Sequence, residues 1–182
     1  MNDLIDRMGR ITASLRSFAR RGDDRGQASL AKAVDATLQV LAARIEGCHL
    51  KLHSNYSDQQ LKIDQTRLEQ ILVNLIGNAL DAMAAVPLPE LWLEGEVHDS
   101  KYRLRVRDNG HGIDDEARKH LFEPFFTTKP GEHGLGLGLT LSASLAAATG
   151  GSLSVQHPAS GGTAFVLSLP LLPAPTEPAE SP

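Results

Sequence analysis

The order in which helix-type and strand-type patterns alternate is the feature that most constrains how this chain folds. Apolar residues recur every three or four positions from about Ser29 to Glu46, and again from a predicted N-cap at Asp64 to Ala85. Apolar and polar residues alternate, as in half-buried strands, at His49–Ser54, Leu91–Val97 and Tyr102–Val106. Further patterns predict a short helix over 114–122, an irregular loop over 123–138, a helix over 138–149 and strands at Leu153–Gln156 and Thr163–Leu169. This order predicts an α/β two-layer sandwich with a mixed, mostly antiparallel sheet.

The composition excludes several classes of protein. The 182 residues include 18 basic and 22 acidic side chains, a net charge of −4, and they contain no basic block that would favour nucleic-acid binding. The one cysteine, Cys48, excludes an internal disulfide framework and fits a reducing compartment. No uninterrupted apolar run of about 18 residues is present, and Asp3 and Asp6 stand where a signal peptide would be apolar.

The N-terminal segment has a heptad pattern. Its apolar positions are spaced four, three, four and three apart, at Leu4, Met8, Ile11, Leu15 and Phe18. Such a seam is typical of a helix that packs lengthwise on partner helices, although an amphipathic helix lying on its own domain has the same pattern. A charged, glycine-containing stretch from Arg21 to Gly26 follows and predicts a linker.

The helix predicted after Asp64 combines a broad apolar stripe with polar residues along one edge. Asn74, Asn78 and Asp81 share that edge because they are spaced at i, i+4 and i+7. They are equally well explained as solvated surface residues. Asparagine is a mediocre helix former, however, so two of them beside an apolar stripe indicate a function. Oxygen ligands of this kind suit Mg²⁺ held together with phosphates.

Two glycine-containing motifs follow predicted elements. Asp108-Asn109-Gly110-His111-Gly112 comes directly after a strand, where it predicts a turn, or a carboxylate that accepts a hydrogen bond from an exocyclic amine such as that of adenine. Gly134-Leu135-Gly136-Leu137-Gly138-Leu139 leads into a helix, and the N–H groups there suit phosphate binding. The spacing matches neither the Walker nor the dinucleotide fingerprint.

An aromatic segment lies between these two motifs. Leu121-Phe122-Glu123-Pro124-Phe125-Phe126-Thr127-Thr128-Lys129 holds three of the five phenylalanines of the chain and precedes a polar, glycine-containing stretch. Apolar anchors followed by glycine predict a hinged lid. Lys129 would reach a terminal phosphate, or remain a solvated loop residue.

Taken in order, Asn-Leu-x-x-Asn-Ala, Asp-x-Gly-x-Gly, Phe-x-Pro-Phe-Phe and Gly-x-Gly-x-Gly resemble the ATP-binding domain of sensor histidine kinases. That domain belongs to the superfamily shared with gyrase, Hsp90 and the MutL repair proteins. The resemblance covers about residues 28–170 and is nearest to the nitrogen-regulatory and four-carbon-dicarboxylate transport sensors, whose lids are similar to FEPFFTTK. It implies a Bergerat-type ATP-binding fold with helices on one face of the sheet.

The resemblance also implies a set of site residues and the cofactors ATP and Mg²⁺. Asn78 would ligate the metal, Asn74 would line the phosphate side, and Asp108 would read the adenine amino group. Catalytic roles are implied for Asn74, Asn78 and Lys129. Nucleotide-binding roles are implied for Asn78, Asp81, Asp108, Gly110, Gly112, Thr128, Gly134, Leu135, Gly136, Leu137, Gly138 and Thr163.

Two departures from the family pattern shape the expected activity. Asn74 occupies the place where the ATP-hydrolysing relatives carry a glutamate base, so slow hydrolysis is expected. Family kinases phosphorylate a histidine on the first helix of a dimerisation hairpin, whereas all seven histidines lie outside 1–22, at 49, 53, 98, 111, 120, 133 and 157. We therefore expect ATP binding without normal autophosphorylation. A hydrolysing clamp of the gyrase or Hsp90 type, a serine kinase of the anti-sigma type and a non-enzymatic interaction module remain as alternatives.

The resemblance finally implies an organisation and a set of partners. We expect 1–22 to be the second helix of a truncated dimerisation hairpin, 23–28 a linker, 29–170 the ATP-binding catalytic domain and 171–182 a disordered tail. The expected partners are a phosphoacceptor helix, a response regulator and, through the N-terminal helix, a second copy. This part would be cytoplasmic, and its parent would be an inner-membrane sensor.

Overall fold

The computed structural model describes residues 26–54, 59–128 and 135–172. The predicted N-terminal helix and the part of the predicted tail after residue 172 lie outside these ranges. The described strands are β1 (Ala28–Ser29), β2 (His49–Ser54), β3 (Gln60–Leu61), β4 (Glu90–His98), β5 (Lys101–Asp108), β6 (Ser152–Gln156) and β7 (Ala164–Pro170). The described helices are α1 (Leu30–Val40), α2 (Ala42–Ile45), α3 (Gln65–Ala82), α4 (Asp115–His120) and α5 (Gly138–Ala148).

The main sheet has five strands in the order β2-β4-β5-β7-β6. The pair β2 and β4 is parallel, and the other three pairs are antiparallel. A small separate sheet pairs β1 with β3. The predicted mixed, mostly antiparallel sheet is therefore confirmed.

One face of the main sheet is buried under the helices. Alternate residues of β5 are buried, as Tyr102, Leu104, Val106 and Asp108, and the residues between them are not. Helix α3 supplies the opposing layer. All members of its predicted apolar stripe except Ala82 are buried: Leu68, Ile71, Leu72, Leu75, Ile76, Ala79 and Met83. Burying a side chain of leucine size contributes roughly 1.5–3 kcal/mol, so this interface holds the two layers together. The predicted two-layer sandwich is confirmed.

Side-chain caps explain where three of the helices begin. Ser29, Asp64 and Asp114 each accept a hydrogen bond from a backbone N–H in the first turn, which fixes the starts of α1, α3 and α4. The cap predicted at Asp64 is confirmed. Helix α5 begins at Gly138, and its N-cap residue Leu137 makes no side-chain capping bond.

The structure differs from the predicted elements in three places. The helix predicted from Ser29 to Glu46 is interrupted at Leu41, whose ψ of 7° leaves the helical range, so it divides into α1 and α2. Helix α3 ends at Ala82, before the predicted end. Strands β1 and β3 were not predicted because two residues are too short to show an alternating pattern. Within the described ranges, no helix combines the length and apolar character needed to cross a bilayer.

Candidate functional site

Asp108 is a buried carboxylate at the end of β5, with 1% of its surface exposed. Its Oδ1 accepts hydrogen bonds from the backbone N–H of Gly110 at 2.8 Å and of Thr163 at 3.2 Å. The backbone N–H of Asp108 in turn donates to the Thr163 carbonyl at 2.9 Å. Both donors are directed to one oxygen, and Oδ2 has no hydrogen-bond partner within the described ranges. The side chain is therefore fixed in orientation while one acceptor remains.

Burial raises the pKa of Asp108 above the usual aspartate value. The N–H groups of Gly110 and Thr163 oppose this shift, as do the nearby charges of His111 and Arg107. Desolvation is the largest contribution, so the carboxyl group is more basic than an exposed aspartate. A buried acceptor of this kind gains from a ligand that donates a hydrogen bond to it.

Three glycines let the backbone approach closely around Asp108. A Cβ on Gly162, where φ is +78°, would lie 2.0 Å from the Asp108 carbonyl oxygen. A Cβ on Gly110 would lie 2.6 Å from the carbonyl oxygen of Ala82, and one on Gly112, where φ is +75°, would lie 3.2 Å from His157. Side chains are excluded at Gly162 and Gly110 by backbone atoms, so glycine is required there.

The close contact of Gly110 with Ala82 places the Asp108 loop against the last turn of α3. The N–H of His111 also donates to the carbonyl of Ala82 at 3.4 Å. Asn78 lies four residues before Ala82 and is half-buried. The structure therefore brings the Asp108 loop to the end of the helix that carries Asn78.

Asn74 joins α3 to α5. Its Nδ2 donates to the Oγ of Ser142 at 3.0 Å, and Ser142 is buried with 2% exposure. A Cβ on Gly138 would lie 2.2 Å from the Asn74 Oδ1, so the amide packs directly on the first residue of α5. Asn74, the first of the three edge residues of α3, therefore contacts the end of the Gly-x-Gly-x-Gly motif.

The segments at the two ends of the predicted lid are hydrogen-bonded to each other. The N–H of Phe125 donates to the carbonyl of Gly136 at 3.0 Å, and the Thr140 hydroxyl donates to the Phe122 carbonyl at 3.0 Å. Gly136 has a φ of +65°, and its Cβ would lie 2.4 Å from the carbonyl carbon of Phe125. Thr128 is exposed, and Leu135 and Leu137 are half-buried. Lys129 and Gly134 lie outside the described residues.

Asp81 is engaged by an arginine that the sequence analysis did not single out. Arg44 Nη2 donates to Asp81 Oδ1 at 2.5 Å and to the Gly77 carbonyl at 3.2 Å. Nothing in the sequence pattern marks Arg44, because its four-residue helix is too short to show a face. Asn109 also acquires a role, since its side chain bonds to the N–H of Glu90 and the carbonyl of Leu88 and so holds the entry to β4.

The polar groups described above are better suited to a bound nucleotide than to a metal ion held by protein side chains alone. The described ranges contain no cluster of three or more His, Cys, Asp or Glu side chains able to hold a metal ion. They do contain an anchored acceptor at Asp108, close-packed backbone at Gly110 and Gly162 beside it, and an amide at Asn78. An amide oxygen suits Mg²⁺ when phosphates supply further ligands.

Comparison with known proteins assigns the chain to a family. Residues 63–173 match the family described as histidine kinase-, DNA gyrase B-, and HSP90-like ATPase. The chain is 38% identical over 179 residues to the C4-dicarboxylate transport sensor protein DctB of Pseudomonas aeruginosa, covering 95% of this chain and 29% of that protein. It is 34% identical over 168 residues to the sensor protein FixL of Bradyrhizobium diazoefficiens, covering 90% of this chain and 33% of that one. The chain thus spans about a third of the length of these curated relatives.

Solved structures show the same fold. The catalytic domain of histidine kinase ThkA matches with a TM-score of 0.71 and 25% identity, covering 81% of this chain and 97% of that one. Full-length ShkA in complex with AMPPNP matches with a TM-score of 0.76 and 25% identity, covering 94% of this chain and 36% of that one. The sequence-based prediction of a fold of the histidine kinase ATP-binding type is confirmed.

Proposed function

The chain belongs to the histidine kinase-, DNA gyrase B-, and HSP90-like ATPase family, and we propose that it binds Mg·ATP and donates the γ-phosphoryl group to a histidine of a two-component sensor kinase. The observation that carries the proposal is the buried Asp108 carboxylate, which is fixed through Oδ1 and keeps Oδ2 as an acceptor beside the end of α3.

Asp108 and its glycines would form the adenine end of the site. Oδ2 would accept a hydrogen bond from the adenine 6-amino group, whereas guanine presents a carbonyl at that position. A site that is built to accept such a bond rejects an analogue that cannot donate it, because a buried charge is left unpaired. Gly110 and Gly112 would admit the base, and Thr163 would hold the carboxylate through its backbone.

Asn78 and the start of α5 would form the phosphate end. Asn78 would ligate Mg²⁺, and the metal ion would neutralise charge on the phosphates. Among the described residues, the N-cap Leu137 makes no side-chain bond to the first turn of α5, and a phosphate is a suitable acceptor for the N–H groups of that turn. Asn74 would position this turn through Gly138 and Ser142.

Further contacts with the nucleotide would come from the lid. We assign to it Thr128, Lys129, Gly134, Leu135 and Gly136, together with Leu137 at its end, and the backbone bond from Phe125 to Gly136 would fix its base. Asp81 would lie beside the phosphates, one turn after Asn78. A closed lid would exclude water from the reacting phosphate.

Phosphoryl transfer requires alignment and charge neutralisation more than covalent help from the protein. Asn74 is a poor general base, because an amide does not take up a proton near neutral pH. Water bound in the site would therefore be activated weakly, and the γ-phosphoryl group would be preserved for an acceptor imidazole. We expect residues 1–22 to be the second helix of a dimerisation hairpin, joined by 23–28 to the catalytic domain 29–170, with 171–182 as a tail.

The relatives support the choice of partners. DctB and FixL are named as sensor proteins, so we propose a response regulator as the downstream partner and a second copy of the chain as the partner of the N-terminal helix. The acceptor histidine would lie on the other helix of the hairpin, and the parent would be a membrane-bound sensor with this part in the cytoplasm.

Calorimetry and a labelling assay test this function together. We expect one mole of Mg·ATP to bind per mole of chain, with GTP bound at least about tenfold more weakly. Incubation with γ-labelled ATP should leave the isolated chain unlabelled and label a hairpin that carries the acceptor histidine. Absence of nucleotide binding refutes the proposal. Steady hydrolysis favours the gyrase-type alternative, and transfer to a serine-bearing partner favours the serine kinase.

A further inference from the structure

We propose that Arg44 is a phosphate-binding residue of the nucleotide site, held in place by Asp81; this inference rests on the proposed function. Arg44 precedes the segment that matches the family, residues 63–173. Its assignment therefore comes from its contacts with α3 alone.

The contacts of Arg44 bracket the proposed metal ligand. One bond goes from Nη2 to the Gly77 carbonyl at 3.2 Å, and the other goes from Nη2 to Asp81 Oδ1 at 2.5 Å. Gly77 directly precedes Asn78, and Asp81 lies three residues after it. The guanidinium group is therefore fixed beside the helical turn that carries Asn78.

Arg44 retains donors for a ligand. A guanidinium group has five N–H donors in a planar fork, and both observed bonds use Nη2. Within the described ranges, Nη1 and Nε have no hydrogen-bond partner. The side chain is 47% exposed, so a ligand at the edge of α3 has access to it. The fork geometry of arginine matches phosphate oxygens.

The guanidinium group lies close to the helix backbone at Gly77. A Cβ at this position would lie 3.4 Å from Arg44 Nη1, which is an ordinary van der Waals contact. This contact and the hydrogen bond to the Gly77 carbonyl place the guanidinium group against the side of α3.

The carboxylate of Asp81 makes a compensating cation favourable at this edge of α3. Asp81 is next to the proposed phosphate end, and a like charge would repel a bound triphosphate. Arg44 compensates for the charge of Asp81, and both of its observed bonds go to the turn of α3 that carries Asn78. Because both side chains are more than 40% exposed, at 47% and 41%, the ion pair adds little to folding stability. Binding can thus be measured separately from folding.

The test compares Mg·ATP with adenosine in the chain and in its Arg44→Gln variant by calorimetry. We expect the variant to bind Mg·ATP about tenfold or more weakly and adenosine unchanged, because adenosine has no phosphate. Arg44→Lys, which keeps the charge but loses the fork, should give an intermediate affinity for Mg·ATP. Arg103→Gln is the matched control, since Arg103 lies on the sheet face turned away from the helices, and it should leave both affinities unchanged.

The double variant Arg44→Gln/Asp81→Asn distinguishes a direct contact between Arg44 and phosphate from simple compensation of the Asp81 charge. If Arg44 contacts phosphate, removing the carboxylate leaves the affinity for Mg·ATP low. Full recovery of that affinity overturns the proposal, as does an equal loss for ATP and adenosine in Arg44→Gln. If the unchanged chain binds no nucleotide, the proposed function itself fails. If the unchanged chain binds ATP normally and Arg44→Gln does also, only the role of Arg44 fails.

Discussion

The two proposed ends of the nucleotide site are built in different ways. Around Asp108, backbone N–H groups hold a carboxylate that is 1% exposed, and glycines admit neighbouring backbone atoms at close range. At the other end, Asn78 is half-buried, and the neighbouring ion pair of Arg44 and Asp81 is 47% and 41% exposed. The adenine end therefore depends on buried, closely packed backbone, whereas the phosphate end depends on side chains at the surface of α3. Substitutions of the close-packed glycines should therefore reduce stability at the first end, whereas substitutions at the second end should affect binding alone.

The largest effect is expected from Gly162→Ala. Its Cβ would lie 2.0 Å from the Asp108 carbonyl oxygen in addition to adopting a φ of +78°, and we expect a loss of about 3 kcal/mol or more in the free energy of unfolding. Denaturant unfolding measures the loss. Gly161→Ala is the matched control, because Gly161 has a φ of +86° but no atoms within 4 Å of a Cβ, and it should lose only about 1 kcal/mol. Equal losses would show that the contact with Asp108 is unimportant.

The next effect is expected from Asp108→Asn. The asparagine Oδ1 can still accept from Gly110 and Thr163, but Nδ2 would then turn a donor toward the adenine amino group. We expect Mg·ATP affinity to fall about 10- to 100-fold, measured by calorimetry. Because burial disfavours the charged form of Asp108, stability at neutral pH should not decrease. A large loss of stability would mean that the ionised carboxylate, and not only the close packing of the glycines, stabilises this end of the site.

The smallest effect is expected from pH. Because burial raises the pKa of Asp108, its contribution to stability is present below the ordinary aspartate value of about 3.9 and is lost as pH rises through the raised pKa. Nucleotide affinity should have the opposite pH dependence. The ionised carboxylate accepts a hydrogen bond from the adenine amine, whereas the protonated group carries a proton that competes for the same oxygen. Adenosine affinity, measured by calorimetry, should therefore fall as pH decreases through the raised pKa. Asp108→Asn should show no such dependence, and an equal dependence in the variant would assign it to another group.

The elements with strong patterns could be predicted from the sequence. The stripe of α3 and the alternation in β4 and β5 identified both layers, because a single buried face dictates the spacing of apolar residues. The break at Leu41 and the short strands β1 and β3 were missed. Two residues carry no periodicity, and the break at Leu41 leaves the spacing of the apolar residues unaltered.

The site could be predicted only where its residues are close in sequence. Asp108 and the glycines after it form a local motif, whereas the bond from Thr163 to Asp108 joins residues 55 apart. Arg44 and Asp81 are 37 residues apart, and they meet because α1, which leads into α2, packs beside α3. Tertiary contacts of this kind depend on the packing of the layers and leave no mark on either local pattern. The roles assigned to Asn78, Asp81 and the lid residues stay predictions.

A nuclear magnetic resonance titration with Mg·AMPPNP tests whether Asp108 and Asn78 face one cavity that holds a single nucleotide. We predict that the backbone amides of Gly110 and Thr163 and the side-chain amide of Asn78 shift along one binding curve, while the amide of Arg103 does not shift. Shifts at only one of the two ends, or two different dissociation constants, would contradict the claim.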